Sequence, residues 1–78
     1  MTAPSVKVMA EYRPSITRSK ISDYMHRFGL GLREAKHMAI KVQLSADIIA
    51  AKDSEELKPM LLYLVRVLHK ELACDIRD

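Results

Sequence analysis

The side chains with chemistry to offer are mostly cations. Arg33, His37 and Lys41 recur at four-residue spacing, with Lys36 beside them, so a helix would stack them along one edge. Arg18, Lys20 and Arg27 precede them on the chain. Such a stripe suits charge-assisted bonds to an acidic protein surface. It equally suits phosphates held without sequence preference. The plain alternative is a solvated helix face. Other reactive types are sparse. His26, His37 and His69 lack the paired spacing of a metal site, and Cys74 is the single cysteine. Residue type alone allows a Cys74/His69 nucleophile pair, but a lone cysteine in an apolar segment ordinarily packs. Gly29-Leu30-Gly31 follows a helical pattern rather than a strand, which makes it a turn between helices and not a nucleotide-binding loop. Ser15, Thr17, Ser19 and Ser22 suit helix caps, and Tyr24 and Phe28 suit a core more than base stacking. No enzymatic chemistry, metal or cofactor is expected.

The composition agrees with one small folded domain over residues 1–78. Its hydrophobic share of 49% is too high for a disordered tail. A chain this short has a thin stability margin. With no tryptophan, one phenylalanine and five methionines, its core must be largely aliphatic. An unpaired cysteine suggests a reducing, cytoplasmic compartment. The first ten residues lack a basic start followed by a long apolar run, so no secretory signal is expected. The apolar run at 60–65 is far too short to span a bilayer. The net charge of +3 is unevenly spread. Residues 1–41 hold eight Lys/Arg against three Asp/Glu, whereas residues 42–78 hold five against seven. That asymmetry points to a positive face for an acidic partner, protein first and nucleic acid second.

The elements that must position these residues follow from periodicity. Val6-Lys7-Val8-Met9 alternates as a short strand, and Arg13-Pro14-Ser15 punctuates it. Ile21, Tyr24, Met25 and Phe28 share one helical face, with Gly29 as its stop. Leu32, Ala35, Met38, Ala39 and Val42 mark a second helix, its opposite side carrying Arg33, Lys36, His37 and Lys41. Residues 42–50 fit two patterns. Val42, Leu44, Ala46 and Ile48 alternate as a strand, yet Ala35, Ala39, Val42, Ala46 and Ile49 share one helical stripe. Asp53-Ser54-Glu55-Glu56 reads as a cap with acids in the first turn of a third helix running to about residue 71. Pro59 should weaken or bend that helix. Its apolar arc, roughly 200° wide at about 100° per residue, exceeds what packing on one neighbour needs. A second chain or a second element must cover the excess, with Met60, Tyr63 and Val67 as the expected homodimer surface. Ala73-Cys74-Asp75-Ile76 alternates as a closing strand.

The run Gly29-Leu30-Gly31-Leu32-Arg33-Glu34-Ala35-Lys36 resembles the turn between the first two helices in the C-terminal domain of the bacterial ribosomal stalk protein. The resemblance extends over nearly the whole chain. Val6-Lys7-Val8-Met9-Ala10 falls on the family's first strand, Asp53-Ser54-Glu55-Glu56-Leu57 on the acidic start of its third helix, and Ala73-Cys74-Asp75-Ile76 on its last strand. It implies an α+β fold in the order β-α-α-β-α-β, with strands at 6–10, around 46–51 and at 73–76. In that family, basic residues of the first two helices bind GTPase factors of translation. Lys36 matches one of them and Arg33 is a basic substitute for another. A third family position is Met25 here, with Arg18 and Arg27 nearby. The Clp-protease adaptor shares the fold, but its acidic, asparagine-rich pocket reads Glu11-Tyr12-Arg13-Pro14 here. Its binding histidine falls on Val42 or Gln43.

These readings converge on a free-standing, non-enzymatic protein-binding or adaptor module of that fold. Its expected contact residues are Arg18, Arg27, Arg33, Lys36, His37 and Lys41. The alternative is an all-α three-helix bundle acting as a small nucleic-acid-binding regulator of helix-turn-helix type. A phage or plasmid accessory inhibitor is a further possibility, raised by size.

Overall fold

A computed structural model describes residues 12–71 and 73–78. The described chain runs β1 (Ser15–Thr17), α1 (Arg18–Phe28), α2 (Leu32–Ala50), α3 (Ser54–Leu68) and β2 (Asp75–Arg77). The two strands pair in parallel, with Ser15 beside Asp75, Ile16 beside Ile76 and Thr17 beside Arg77. Parallel pairing requires a crossover, and all three helices lie within it. The protein is therefore a small α+β domain, mostly helical.

Local chemistry explains the boundaries. Thr17 leaves β1 extended and its hydroxyl accepts the Lys20 N–H at 3.2 Å, capping α1. His26 and Arg27 in the last turn suit the helix dipole. Gly29 then takes a left-handed conformation at φ 65°, and the Leu30 N–H returns to the Met25 carbonyl at 3.1 Å. Gly31 starts α2 in ordinary extended geometry at φ −75°, and the Glu34 carboxylate reaches back to its N–H at 3.0 Å. Only the first glycine is conformationally required. Gly29→Ala should cost about 1 kcal/mol, because an L side chain is strained there. Gly31→Ala should stay within about 0.5 kcal/mol, a weaker cap residue being its main penalty. Urea denaturation of the two variants measures the difference directly.

The strand expected around 46–51 is corrected by the structure. Residues 32–50 form one continuous helix. Alternation failed as a guide because the polar residues bond along the helix. The Gln43 amide donates to Asp47 at 2.8 Å and the Ser45 hydroxyl donates to the Lys41 carbonyl at 2.9 Å, both four residues apart. Alanine-rich sequence without glycine or proline then favours the helix. The observed order is β-α-α-α-β in place of β-α-α-β-α-β. The strand expected at 6–10 lies outside the described residues. The closing strand is present, shifted to Asp75–Arg77.

Asp53 caps α3, accepting the Glu56 N–H at 2.9 Å, with Glu55 and Glu56 in the first turn. The helix continues through Pro59, at the cost of one intrahelical donor. At its end Lys70, not a glycine, takes the left-handed position at φ 65°. The Glu71 N–H then bonds the Arg66 carbonyl at 2.9 Å.

The core is Ile16, Ile21, Ala35, Ala39, Ile40, Leu44, Tyr63 and Val67. It draws on β1 and all three helices, with α2 packing against both α1 and α3. The apolar stripe read along the second helix holds only in its first half. Ala35 and Ala39 are buried, whereas Val42 and Ile49 are exposed. Ile40 and Leu44 carry the burial instead.

Candidate docking face

The six cations proposed from sequence differ in whether a carboxylate of the chain already pairs with them. Arg27 pairs with Asp23, one turn earlier on α1, at 2.9 Å, and its guanidinium lies 5.9 Å over the Phe28 ring. Arg18 meets Asp78 at 3.1 Å, next to the end of β2. Both are occupied by carboxylates of their own chain. No such pair involves Arg33, Lys36 or Lys41 among the described residues.

Arg33, His37 and Lys41 advance along one edge of α2. Lys36, half-buried, lies about 100° round the helix from His37 and one turn from Arg33. Lys36 acts on the Cys74 thiol, together with Arg13, itself 3.7 Å from Asp75. Burial pushes that thiol above its ordinary value, Lys36 and Arg13 pull it back, and Asp75 adds to the rise. The His69 ring nitrogen Nδ1 sits 3.0 Å from the Val65 carbonyl of its own helix. Among the described residues, no three His, Cys, Asp or Glu side chains gather as metal ligands.

Arg33, His37 and Lys41 acquire a fourth member from the turn after α3. Partial burial is the first cause of a lowered His37 pKa, followed by the charges of Lys41, Lys70 and Arg33. His37 is therefore neutral at neutral pH, and the edge carries three full positive charges around an imidazole donor. Lys70 is the member that sequence spacing missed. It lies beyond the helix, so no periodicity marks it, and only the docking of α3 on α2 brings it to His37. An open groove of about 270 Å³ borders the edge, lined by Leu30, Glu34, His37, Met38 and Lys41. A larger apolar groove, about 330 Å³, lies between α1, the start of α2 and Ile76, with Arg18 as its charged lining residue.

The dimer surface expected on the third helix is also corrected. Tyr63 is 2% exposed and Val67 5%, both within the chain's own core. Met60 packs partly against that core. The Tyr63 hydroxyl donates to the Ala73 carbonyl at 2.6 Å, and its ring meets Tyr12 edge-on at 5.4 Å. The Tyr12 hydroxyl donates in turn to Asp47, which also accepts from Gln43. Burial, the Asp47 hydrogen bond and the Asp47 charge hold the Tyr12 phenol well above its ordinary range. Burial raises Tyr63 as well. Both phenols thus remain donors at neutral pH and tie the segment before β1, α2, α3 and the approach to β2 together.

No helix among the described residues is long and apolar enough to cross a membrane. Set beside known protein families, characterised proteins and solved structures, the chain matches none of them.

Proposed function

We propose that this domain is a non-enzymatic protein-binding module that docks an acidic protein surface on Arg33, His37, Lys41 and Lys70. The observation that carries this reading is that Arg33 and Lys41 stand one turn to either side of His37 on α2, exposed and without a carboxylate partner among the described residues, with the Lys70 charge also acting on that imidazole. Arranged around a half-buried histidine and beside an open groove to which Leu30 and Met38 add apolar surface and Glu34 a carboxylate, they offer charge-assisted bonds together with a small apolar contact. Lys70 adds a second support. A left-handed lysine costs about 1 kcal/mol relative to glycine, and strain of this kind concentrates where a side chain is needed. Of the two positions that the stalk-domain resemblance picks out, Arg33, a basic substitute, belongs to this cluster and Lys36, the match, does not. Lys36 becomes a flanking cation. Arg18 and Arg27 take part only by giving up Asp78 and Asp23. A lone, half-buried Cys74 suits a cytoplasmic setting.

The test measures binding to a synthetic acidic peptide and, separately, to duplex DNA of arbitrary sequence. Reversing Arg33 and Lys41 to Glu should weaken peptide binding at least about tenfold for each charge-assisted bond removed. Stability should change by about 1 kcal/mol or less, because both side chains are exposed. Lys70→Gly should weaken peptide binding and stabilise the fold by about 0.5–1 kcal/mol. Unchanged peptide affinity in the double variant would reduce the cluster to a solvated face. Tighter binding to DNA, falling steeply with salt, would favour the nucleic-acid alternative.

A further inference from the structure

The outer side of α3 carries a pattern that the basic edge does not explain. Leu57, Leu61, Leu64 and Leu68 follow one another at four-, three- and four-residue spacing, which is the seam of a two-stranded coil. None belongs to the buried core. Leu57 is half-buried, while Leu64, Leu61 and Leu68 are 38%, 45% and 73% exposed, with Val65 beside them at 51%. Tyr63 and Val67 occupy the neighbouring sector of the same helix and point inward. The helix thus turns one apolar face to its own core and a second to the outside.

Two quantities indicate what covers the second face. These side chains expose on the order of 400 Å² of apolar surface, at the level of the largest patch a monomer ordinarily shows. Two copies brought together would bury roughly twice that, and a polar rim brings the total close to the ~1,200 Å² of a specific interface. Charge then selects the direction. The first two turns carry Asp53, Glu55 and Glu56 against one cation, Lys58, 4.0 Å from Glu55, and the end carries Arg66 and Lys70 against Glu71, 3.9 Å from Arg66, so the start is net negative and the end net positive. A parallel pair would set acid against acid, whereas an antiparallel pair sets the acidic start of each helix over the basic end of the other and opposes the two dipoles.

We infer that two copies of this chain associate through α3 packed antiparallel on α3, with Leu57 opposite the partner's Leu68 and Leu61 opposite the partner's Leu64. The interface uses the same helix as the sequence reading but a different face. Leu61 and Leu68 are exposed and belong to neither the core nor the basic edge, whereas Lys70 is shared by the basic edge and the helix end that meets the partner's acidic start.

Sedimentation equilibrium of the full chain across micromolar concentrations should return twice the chain mass. Leu61→Glu combined with Leu68→Glu should raise the dimer dissociation constant at least about 100-fold, since each copy then places two carboxylates in an apolar seam. Circular dichroism should stay as in the parent chain, and peptide binding should not weaken, because separating the copies releases Lys70 from the partner's acidic start. Leu62→Glu, exposed but off the seam, should leave the dimer intact. In a Cys74→Ser background, a chain with Leu57→Cys should form a disulfide with a chain carrying Leu68→Cys, and not with itself. A monomer mass throughout, or a dimer indifferent to the double leucine change, overturns the proposal. Cross-linking of Leu57→Cys to itself overturns the antiparallel arrangement.

Discussion

Tyr63→Ala is expected to remove about 3–5 kcal/mol of stability, the range for emptying a buried aromatic site. A 78-residue domain has only about 4–12 kcal/mol in total, so this one change takes a large part of it. The reason lies in what Tyr63 joins. At 2% exposure it is the largest fully buried side chain. Its ring supports Tyr12 edge-on at 5.4 Å, and its hydroxyl holds the Ala73 carbonyl at 2.6 Å on the approach to β2. Truncation leaves a cavity, removes an aromatic pair and orphans a carbonyl in a single step. Tyr63→Phe separates these contributions, keeping the ring and losing only the hydrogen bond, and should cost about 0.5–1.5 kcal/mol. Urea denaturation followed by circular dichroism gives both values. A loss below about 1 kcal/mol for the alanine variant would mean that α3 does not dock through Tyr63.

Ile40→Ala is expected to cost about 2–5 kcal/mol. Ile40 is fully buried at the middle of α2, on the line that continues to Leu44. Ile40 anchors the helix that presents the Arg33–His37–Lys41 edge. Its effect should therefore reach binding as well as stability. A loosened α3 carries Lys70 away from His37, so acidic-peptide affinity should fall together with the unfolding midpoint. Val42→Ala, at a half-exposed position on the same helix, should remain within about 0.5 kcal/mol and leave binding unchanged. Equal losses in the two variants would contradict the buried line assigned to α2.

Much of the helical framework is legible one turn at a time. Gly29 stops α1, Thr17 and Asp53 cap their helices, and Ile21, Tyr24 and Met25 mark the inward face of α1. These features depend on residues within four positions of each other, where capping and turn chemistry act. Legibility fails at residues 42–50, whose alternating and helical patterns coexist. The outcome there depends on Ile40 and Leu44 being buried by α3 and on Asp47 accepting a hydrogen bond from Tyr12, 35 residues away. It fails again at the sheet, because a three-residue strand is too short to show a period. β1 becomes a strand only when it pairs with Asp75–Arg77 across the three helices.

The candidate site divides in the same way. A basic stripe on the second helix is a property of spacing, and so is an apolar arc on the third that exceeds what one neighbour can cover. Which cations stand free, and which part of the arc faces out, are tertiary outcomes. Asp23 and Asp78 pair with Arg27 and Arg18, Lys36 is half-buried with its charge acting on Cys74, and Lys70 comes near enough for its charge to act on His37. Tyr63 and Val67 turn inward because packing against α2 and the edge-on Tyr12 ring is available there. Leu61, Leu64 and Leu68 remain outside for want of such a surface within the described chain. Helical periodicity specifies the angle between two side chains on one element, but the direction in which that element faces is set by the free energy of burying one sector against its neighbours.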